Sequence, residues 1–364
     1  MKGRDIISVE DLSDGELHGI LRTAAQMSAE GRRELCQGKI LATLFYEPST
    51  RTRLSFESAM LRLGGGVIGF ADPQTSSYKK GEVLADTARV VESYCDIIVM
   101  RHPLDGAAKV VADYASVPFI NAGDGGHFHP TQTLTDLYTL QELKGGFDGL
   151  VVGLCGDLKY GRTVHSLAPA LTRLGARMYC IAPEALAMPE AHLVEAREAG
   201  ALLGQTTDLE AVLPELDVLY VTRIQQERFA SPEAYERVKG VYVVTRELLS
   251  HAKQDLVVLH PLPRVDEIAH DVDSDPRAAY FRQAANGVPV RMALIALLLG
   301  AVEAEVGSAG GPRIPRYRRA AASEPCANPR CVTHSERYLT REVAVISEQP
   351  PVLRCVYCDH EVAS

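Results

Sequence analysis

Two hydrophobic patterns alternate along most of this chain. Short runs of consecutive apolar residues, typical of strands buried on both faces, lie between longer stretches in which apolar residues return every three or four positions, as in amphipathic helices. Strands are predicted at residues 40–46, 96–102, 118–123, 150–157, 176–182, 217–223 and 256–263. Helices are predicted at residues 54–64, 81–94, 131–145, 162–175 and 207–216, with a mostly helical tail at 277–306. This order predicts an α/β protein built from doubly wound parallel sheets.

The length of this α/β pattern exceeds what one hydrophobic core holds, so two lobes are expected. The boundary between them is predicted in the polar, glycine-rich segment KGGFDG at residues 144–149. Beyond the helical tail, a segment rich in Gly, Pro, Ala and Arg is typical of a linker. The predicted domains are a first lobe at residues 1–145 completed by the tail at 285–306, a second lobe at 146–284, a linker at 307–325 and a small β-rich module at 326–364.

The composition is that of a globular protein, with 46% hydrophobic and 23% charged residues among 364. Asp and Glu number 47 against 38 Lys and Arg, and the net charge of -9 disfavours nucleic acid as the main partner. The longest apolar run, residues 292–302, covers about half of a membrane span, so no membrane insertion is expected. Acidic residues near the N-terminus, where a signal peptide needs an apolar run, predict a reducing, cytoplasmic location.

A candidate anion site follows the first predicted strand. Ser49, Thr50, Arg51 and Thr52 lie at the start of a helix, where unpaired backbone N–H groups and the helix dipole attract an anion. Hydroxyl and guanidinium groups at such a helix end suit a tetrahedral oxyanion, for which phosphate is the natural example. A structural role is the alternative, with Ser49 or Thr50 as a helix cap and Arg51 as a solvated surface residue.

Two further motifs place polar side chains at the same predicted sheet edge, where ligands of open α/β sheets bind. Arg101 ends a strand in the motif MRHP, and His129 and Gln132 follow a glycine-rich turn in NAGDGGHFHPTQ. His129 can donate a hydrogen bond to a substrate carbonyl oxygen and stabilise the negative charge that develops there. The alternative for His129 is a helix-capping role.

The second lobe carries two arginines at strand ends. Arg162 lies in GDLKYGRTVHS, and Arg223 lies in VTRIQQER, followed by Gln225. Because guanidinium groups bind carboxylates through paired hydrogen bonds, two of them in one crevice suit a dicarboxylate; a surface ion pair is the alternative for either. In LHPLPR, Leu262 and Pro263 form a rigid turn whose backbone carbonyls can accept hydrogen bonds from an amine or amide. The alternative is that this turn only ends the strand.

Taken in order, these motifs resemble the catalytic chain of the aspartate carbamoyltransferase family over residues 1–305. The resemblance rests on STRTR, MRHP, HPTQ, GDLKYGRTVHS, TR-x-Q and HPLPRVDEI, and on KKGE in the segment 74–82, which alone is typical of a solvent-exposed loop. It implies that carbamoyl phosphate is bound by Ser49, Thr50, Arg51, Thr52, Arg101, His129 and Gln132. It also implies that L-aspartate is bound through its carboxylates by Arg162 and Arg223, in a pocket lined by Gln225, Leu262 and Pro263.

The resemblance further implies a homotrimer, because Ser76 and Lys80 would reach into the active site of a neighbouring subunit. The implied reaction makes N-carbamoyl-L-aspartate and phosphate for pyrimidine synthesis. Its substrates bring about four negative charges together, and five cations are available to balance them: Arg51, Lys80, Arg101, Arg162 and Arg223. Since the carbamoyl carbon is already activated, positioning and charge stabilisation supply the rate, and catalysis requires no metal or nucleophilic residue.

Two alternatives to this activity remain open from the sequence. Ornithine carbamoyltransferase shares the phosphate-binding half but typically carries a cysteine in the HPxQ and HxLP positions, where this chain has Thr131 and Pro261. Arg223 also suits a carboxylate and would repel an ornithine ammonium group. A catalytically silent scaffold that binds pathway partners is the second alternative, and the intact motifs disfavour it.

Four of the eight cysteines lie in the last forty or so residues. Cys326-x4-Cys331 and Cys355-x2-Cys358 form two pairs separated by 23 residues that can form two strands. Four thiolates in paired short loops predict a closed tetrahedral zinc site with a structural role, and a module this small needs such a site to fold. An iron–sulfur cluster and a disulfide pair are the alternatives.

The cysteine spacing and the stretch RCVYC resemble the zinc domain of the regulatory chain of aspartate carbamoyltransferase. That domain docks on the catalytic chain, and the resemblance therefore implies a fusion of the two. The linker leaves no room for the nucleotide-binding domain of the regulatory chain, so no nucleotide allostery is expected. Pairing of trimers through the zinc modules and association with dihydroorotase stay open.

Overall fold

The structure is a computed structural model of the chain. It describes residues 1–30, 34–73, 77–224, 231–236, 238–304, 317–348 and 351–362. Within these ranges, no helix is long and apolar enough to cross a membrane. The chain forms two compact units, which are Met1–Thr131 with Val288–Ser364, called the first unit, and Gln132–Gly287, called the second unit.

The seven predicted strands all form, as do the predicted helices. The strands are β1 (Ile40–Phe45), β2 (Gly66–Phe70), β3 (Ile97–His102), β4 (Phe119–Asp124), β5 (Val151–Cys155), β6 (Arg177–Ile181), β7 (Leu202–Thr206), β8 (Val218–Val221), β9 (Val257–Leu259), β10 (Arg318–Ala321), β11 (Glu342–Glu348), β12 (Pro351–Cys355) and β13 (Glu361–Val362). The helices are α1 (Asp14–Glu30), α2 (Thr50–Arg62), α3 (Leu84–Val91), α4 (Ala107–Tyr114), α5 (Pro130–Lys144), α6 (Arg162–Arg173), α7 (Val194–Glu198), α8 (Leu209–Val212), α9 (Pro232–Glu236), α10 (Arg246–Leu249) and α11 (Tyr280–Leu299).

Each unit contains a parallel sheet. The first unit has the order β2-β1-β3-β4 and the second has β7-β6-β5-β8-β9, so the predicted α/β class with two sheets is confirmed. The strands β3, β4, β5 and β8 are buried almost throughout, as their continuous apolar runs require. The edge strands β2 and β7 were not predicted, because both are partly exposed and their sequences lack a continuous apolar run.

The C-terminal strands form an antiparallel sheet with the order β10-β11-β12-β13. We call residues 318–362 the metal module. Its apolar side chains Val332, Leu339 and Val356 belong to the same buried cluster as Leu84 of α3 and Val111 of α4. These side chains of the module therefore complete the core of the first unit.

The compact units divide differently from the predicted domains. The division falls inside α5, after Thr131, and inside α11, before Val288, and the metal module lies in the first unit. Both helices run continuously through these positions. Residues 318–321 of the predicted linker form β10, because they pair with the edge of β11. The predicted domain boundaries stay a prediction.

Candidate active site and metal centre

The first candidate site lies where β1 leads into α2. Ser49 immediately precedes the helix, and Thr50, Arg51 and Thr52 form its first turn. Within the described part of the chain, the Ser49 hydroxyl makes no capping hydrogen bond to α2. Ser49 therefore does not cap α2 in this structure. A hydroxyl group beside a helix N-terminus that makes no capping bond is suited to binding an anion.

Two arginine side chains approach each other at this end of the sheet. Arg101 lies beside Phe45 in the β1–β3 register, and its Nε donates to Glu47 Oε2 over 3.0 Å. Burial, and after it the positive charge of Arg101, lowers the pKa of the Arg51 guanidinium. Two cations held together in a partly buried position are what a multiply charged anion requires.

The loop after β4 leads to His129. This histidine is buried and directly precedes Pro130, the first residue of α5. The loop is held by Asp124, the last residue of β4, whose Oδ1 accepts from the Phe128 N–H over 3.1 Å and whose Oδ2 accepts from the Gly106 N–H over 2.9 Å. The position of His129 is thus fixed by a carboxylate that our sequence analysis did not assign.

A second unassigned carboxylate holds the middle of the same loop. Asp105 Oδ1 accepts from the Gly126 N–H over 2.7 Å. Gly125 has a φ of 53°, and a Cβ at this position would lie 1.8 Å from Asp105 Oδ1. Only glycine fits here. The signal in the sequence is the pair of glycines in GDGGHFHP, which marks a tight turn but does not indicate which carboxylates hold it.

The parallel register brings these residues to one edge of the first unit's sheet. Phe45 is paired with Arg101, and His102 with Asp124, so β1, β3 and β4 end side by side. Arg101 lies within the last two residues of β3, residues 49–52 follow the end of β1, and His129 follows the end of β4. Lys80 lies apart in sequence, as the exposed last residue of the short 3-10 turn Ser77–Lys80, and Ser76 lies outside the described residues.

The second unit gathers its predicted residues in the same way. Arg162 begins α6 after β5, Arg223 follows β8 by two residues, and Leu262 follows β9 by three. The register pairs Cys155 with Val221 and Tyr220 with Leu259, so these three strands also end side by side. Gln225 lies outside the described residues.

The turn after β9 is tightly fixed. Leu262 has a left-handed φ of 53°, and its peptide bond to Pro263 is cis. His260 Nδ1 accepts from the Leu262 N–H over 2.8 Å, and His260 Nε2 lies 2.7 Å from Glu267 Oε1. Burial opposes the charge of Glu267, but hydrogen bonds from His260 and from backbone N–H groups outweigh it and lower the pKa of this carboxyl. These contacts fix the conformation of the turn at Leu262.

Gln132, in the first turn of α5, belongs to a buried network that the sequence did not reveal. Its Nε2 donates to Asp136 Oδ1 over 2.7 Å. The same carboxylate accepts from the Tyr220 hydroxyl over 2.8 Å and from Gln283 Nε2 over 2.7 Å. Asp136, Tyr220 and Gln283 come from separate segments, so only the folded chain shows that Asp136 orients the Gln132 carboxamide.

The four predicted cysteine ligands come together in the metal module. Their Sγ atoms all lie within 4.8 Å of one another, with 3.6 Å between Cys326 and Cys358 and 3.8 Å between Cys331 and Cys355. A tetrahedral zinc ion with Zn–S bonds of about 2.3 Å requires Sγ–Sγ distances of about 3.8 Å. The cysteines are free thiols, and disulfide sulfurs would lie about 2 Å apart, so this set suits a metal and not a disulfide pair.

Three family models match the chain. Residues 4–142 match the aspartate/ornithine carbamoyltransferase carbamoyl-P binding domain, and residues 148–298 match the Asp/Orn binding domain of the same family. Residues 325–364 match the metal binding domain of the aspartate carbamoyltransferase regulatory chain. The predicted likeness to a catalytic chain and to the metal domain of a regulatory chain is confirmed.

The chain is similar to proteins named aspartate carbamoyltransferase catalytic subunit. Those of Thermococcus gammatolerans and Methanopyrus kandleri are both 58% identical, over 82% of this chain and 98% and 97% of theirs. Among solved structures, the catalytic subunit of M. jannaschii aspartate transcarbamoylase matches with a TM-score of 0.76 at 47% identity, over 82% of this chain and 98% of that one. Aspartate transcarbamoylase from Trypanosoma cruzi in complex with carbamoyl phosphate matches with a TM-score of 0.77 at 40% identity, over 82% and 97%.

The sheet edges with their arginines, the histidine loop and these matches define the class of protein. The chain belongs to the aspartate/ornithine carbamoyltransferase family. Within this family its activity is that of an aspartate carbamoyltransferase, and the prediction made from the motifs is confirmed. It is a transferase that carries a regulatory-chain metal domain on the same polypeptide.

Proposed function

We propose that this chain transfers the carbamoyl group of carbamoyl phosphate to the amine of L-aspartate through the residues predicted from its motifs. The observation that carries the assignment is the convergence of residues 49–52, Arg101 and His129 at the ends of β1, β3 and β4. Ser49, Thr50, Arg51 and Thr52 bind the phosphate together with Arg101. His129 and Gln132 bind the carbamoyl end.

In the reaction, the aspartate nitrogen forms a bond to the carbamoyl carbon while the bond from that carbon to the phosphate oxygen breaks. The electron pair of the broken bond leaves with inorganic phosphate, which also takes the proton that the aspartate ammonium must lose. Arg51 and Arg101 stabilise the charge that collects on the leaving phosphate, and His129 stabilises the charge on the carbonyl oxygen. No covalent intermediate with the protein is required.

L-Aspartate is bound by the second unit. Arg162 and Arg223 suit its two carboxylates because each guanidinium offers a planar pair of donors. The turn at Leu262 and Pro263 and the side chain of Gln225 complete this pocket. The fixed geometry of the Leu262 turn supports the proposal, because a carbonyl that accepts from the substrate must be held in place.

The active enzyme is a homotrimer in which Ser76 and Lys80 serve a neighbouring subunit. The exposure of Lys80 on its own chain supports this assignment, as does the exposed apolar side of α2, where Leu54 is 50% and Leu61 is 56% exposed. The cytoplasmic location, the pairing of trimers through the metal modules and an association with dihydroorotase stay predictions.

The metal is zinc, held by Cys326, Cys331, Cys355 and Cys358. Four thiolates complete a tetrahedron and leave no position for substrate, so the metal stabilises the module and takes no part in the transfer. The family match of the C-terminal part covers a metal binding domain and begins at residue 325. We therefore also propose that ATP and CTP have no regulatory effect on this enzyme.

The experiment that tests these assignments compares variants of the two units in steady-state kinetics. Arg101→Ala should raise the KM for carbamoyl phosphate, and Arg223→Ala should raise the KM for aspartate, each by about a hundredfold, because each removes a charged hydrogen-bond partner of its substrate. Trimers mixed from Lys80→Ala and His129→Ala subunits should recover activity that neither variant has alone. Unchanged kinetics in either arginine variant contradict the site, and failure of the mixture contradicts the shared subunit role.

A further inference from the structure

The metal module contacts two loops of the first unit. One loop, residues 80–85, leads from Lys80 into α3. The other, residues 124–129, leads from β4 to His129. Both Lys80 and His129 have proposed roles in the reaction, and the inference below rests on those roles.

At the first loop, the metal module supplies the acceptors for the N-terminus of α3. Glu336 Oε2 accepts from the Leu84 N–H over 3.0 Å, and the Tyr338 hydroxyl accepts from the Ala85 N–H over 3.1 Å. The preceding residue, Val83, has no side chain that can cap a helix. The first backbone N–H groups of a helix have no acceptor within the helix. The metal module supplies these acceptors and so fixes the N-terminus of α3.

At the second loop, the metal module contacts the residue two positions before His129. His127 Nε2 lies 2.9 Å from Asp359 Oδ2, and His127 Nδ1 lies 3.1 Å from Asp124 Oδ2. Asp124 in turn holds the Phe128 N–H. The imidazole of His127 therefore connects a carboxylate of the metal module with the carboxylate that organises the histidine loop.

A second route joins the metal module to the same loop. Asn328 Nδ2 donates to Asp105 Oδ2 over 2.8 Å, while the other oxygen of Asp105 accepts from the Gly126 N–H. The backbone supports this contact, since the Asp105 N–H donates to the Arg330 carbonyl and the Val332 N–H donates to the Asp105 carbonyl, both over 2.9 Å. Asp105 is thus fixed on both sides.

We propose that the metal module positions the catalytic loops of its own chain, with Glu336 acting on the Lys80 loop and Asp359 acting on the His129 loop through His127. Glu336 and Asp359 are not needed to attach the metal module, because the apolar contacts of Val332 and Leu339 already join it to the rest of the first unit. Glu336 is only 5% exposed. Burial of a carboxylate costs free energy unless it accepts hydrogen bonds, and Glu336 accepts one from the Leu84 N–H. These are positioning residues, since neither contacts substrate.

The proposal predicts separate effects of the two carboxylates on backbone motion in the full-length enzyme. In hydrogen–deuterium exchange followed by mass spectrometry, Glu336→Ala should speed exchange about tenfold at residues 80–85 and leave exchange at residues 124–129 unchanged. Asp359→Ala should speed exchange about tenfold at residues 124–129 and leave exchange at residues 80–85 unchanged. The control is Glu361→Ala, an exposed carboxylate of the same module, which should change neither loop. Zinc content measured in each variant shows that the module is intact.

The kinetic test uses the same variants. Glu336→Ala and Asp359→Ala should each lower kcat/KM for carbamoyl phosphate about tenfold, with the KM for aspartate within about twofold of wild type, since a lost hydrogen bond to a charged group has this magnitude. Glu336→Gln and Asp359→Asn keep an acceptor oxygen and should restore most of the activity. Loops that do not loosen, or loops that loosen with unchanged kcat/KM, overturn the proposal. A fully active His129→Ala or Lys80→Ala enzyme instead overturns the proposed function, whatever the exchange data show.

Discussion

Arg101 at the end of β3 donates its Nε–H to Glu47 Oε2 over 3.0 Å, with 13% of the arginine side chain exposed. Glu47 follows β1 and was not among the residues assigned from sequence. One side of the guanidinium is thereby oriented by the protein, which leaves its terminal nitrogens to an anion. Glu47→Ala should therefore lower kcat/KM for carbamoyl phosphate about tenfold without abolishing it, because Arg101 keeps its charge but loses its orientation.

The control for Glu47 is an exposed carboxylate that also pairs with an arginine. Arg197 Nη2 and Glu190 Oε2 lie 3.1 Å apart, and both side chains are more than half exposed. Glu190→Ala should leave kcat/KM within about twofold of wild type, because an exposed ion pair contributes little. Equal effects of the two substitutions, measured in the same assay, would contradict an orienting role for Glu47.

The network around Asp136 separates activity from stability. Gln132→Ala should lower kcat by about a hundredfold and change the unfolding midpoint little, because the side chain is only partly buried and has a proposed role toward substrate. Tyr220→Phe leaves the buried Asp136 without one donor and should lower the free energy of unfolding by about 1–2 kcal/mol while kcat stays near wild type. Thermal unfolding and initial rates on both variants check this. A large loss of kcat in Tyr220→Phe would show that the two residues cannot be separated.

His102 makes the first unit sensitive to acid. Burial lowers its pKa from 6.5 to about 4, against the opposing charge of Asp124. Its Nδ1 accepts from the Leu104 N–H over 3.2 Å, and the ring packs against Tyr46. Because the unfolded chain binds a proton near pH 6.5 and the folded chain only near pH 4, the stability that His102 contributes is present above pH 6.5 and is lost as the pH falls towards 4, by up to about 3 kcal/mol.

The matched variant for this pH effect is His102→Asn, whose side-chain oxygen can still accept from the Leu104 N–H. Its unfolding midpoint in urea should be lower at pH 7 but should fall less steeply between pH 6.5 and pH 4 than that of the wild type. Unfolding curves of both proteins at a series of pH values provide the measurement. Parallel pH profiles would mean that His102 does not titrate as described.

Metal removal should affect the whole first unit, because the metal module shares its core. Cys331 is fully buried, and Cys331→Ser removes one of four ligands. We expect this variant to lose its metal and to show a lower unfolding temperature of the first unit, because the binding free energy of a structural metal contributes directly to folding. Cys95→Ser, a half-buried cysteine outside the cluster, should keep the metal. Metal analysis that finds iron, or no metal, in the wild type contradicts the zinc assignment.

The sequence predicted the strands with continuous apolar runs, including β4 and β9 at sheet edges, and missed β2 and β7, the partly exposed strands at the opposite edges. Ile97–His102 is a continuous buried run, whereas Leu202–Thr206 alternates between partly buried and exposed positions and contains Gly204. Antiparallel β10 was likewise assigned to a linker, since its arginine-rich sequence shows no apolar pattern. An edge strand is defined by the neighbour with which it pairs, and that information is not local.

The candidate site shows the same division. Arg101, His129 and the four cysteines stand in motifs whose chemistry is evident from neighbouring residues. Asp136 and Glu336 do not, because each acquires its role from a partner far away in sequence: Asp136 from Tyr220, and Glu336 from the Leu84 N–H. Candidate substrate-binding residues are therefore predictable from motifs, whereas the residues that hold those side chains in place require the fold.

Product analysis with the purified enzyme distinguishes aspartate from ornithine as the carbamoyl acceptor. The enzyme is given carbamoyl phosphate with either L-aspartate or L-ornithine, and phosphate release and carbamoylated products are quantified together. We predict equal amounts of N-carbamoyl-L-aspartate and phosphate with aspartate, no carbamoylated product with ornithine, and far less N-carbamoyl-L-aspartate from Arg223→Ala when aspartate is held near the wild-type KM. Formation of carbamoylated ornithine, or no carbamoylated product with either amino acid, would contradict the aspartate carbamoyltransferase activity.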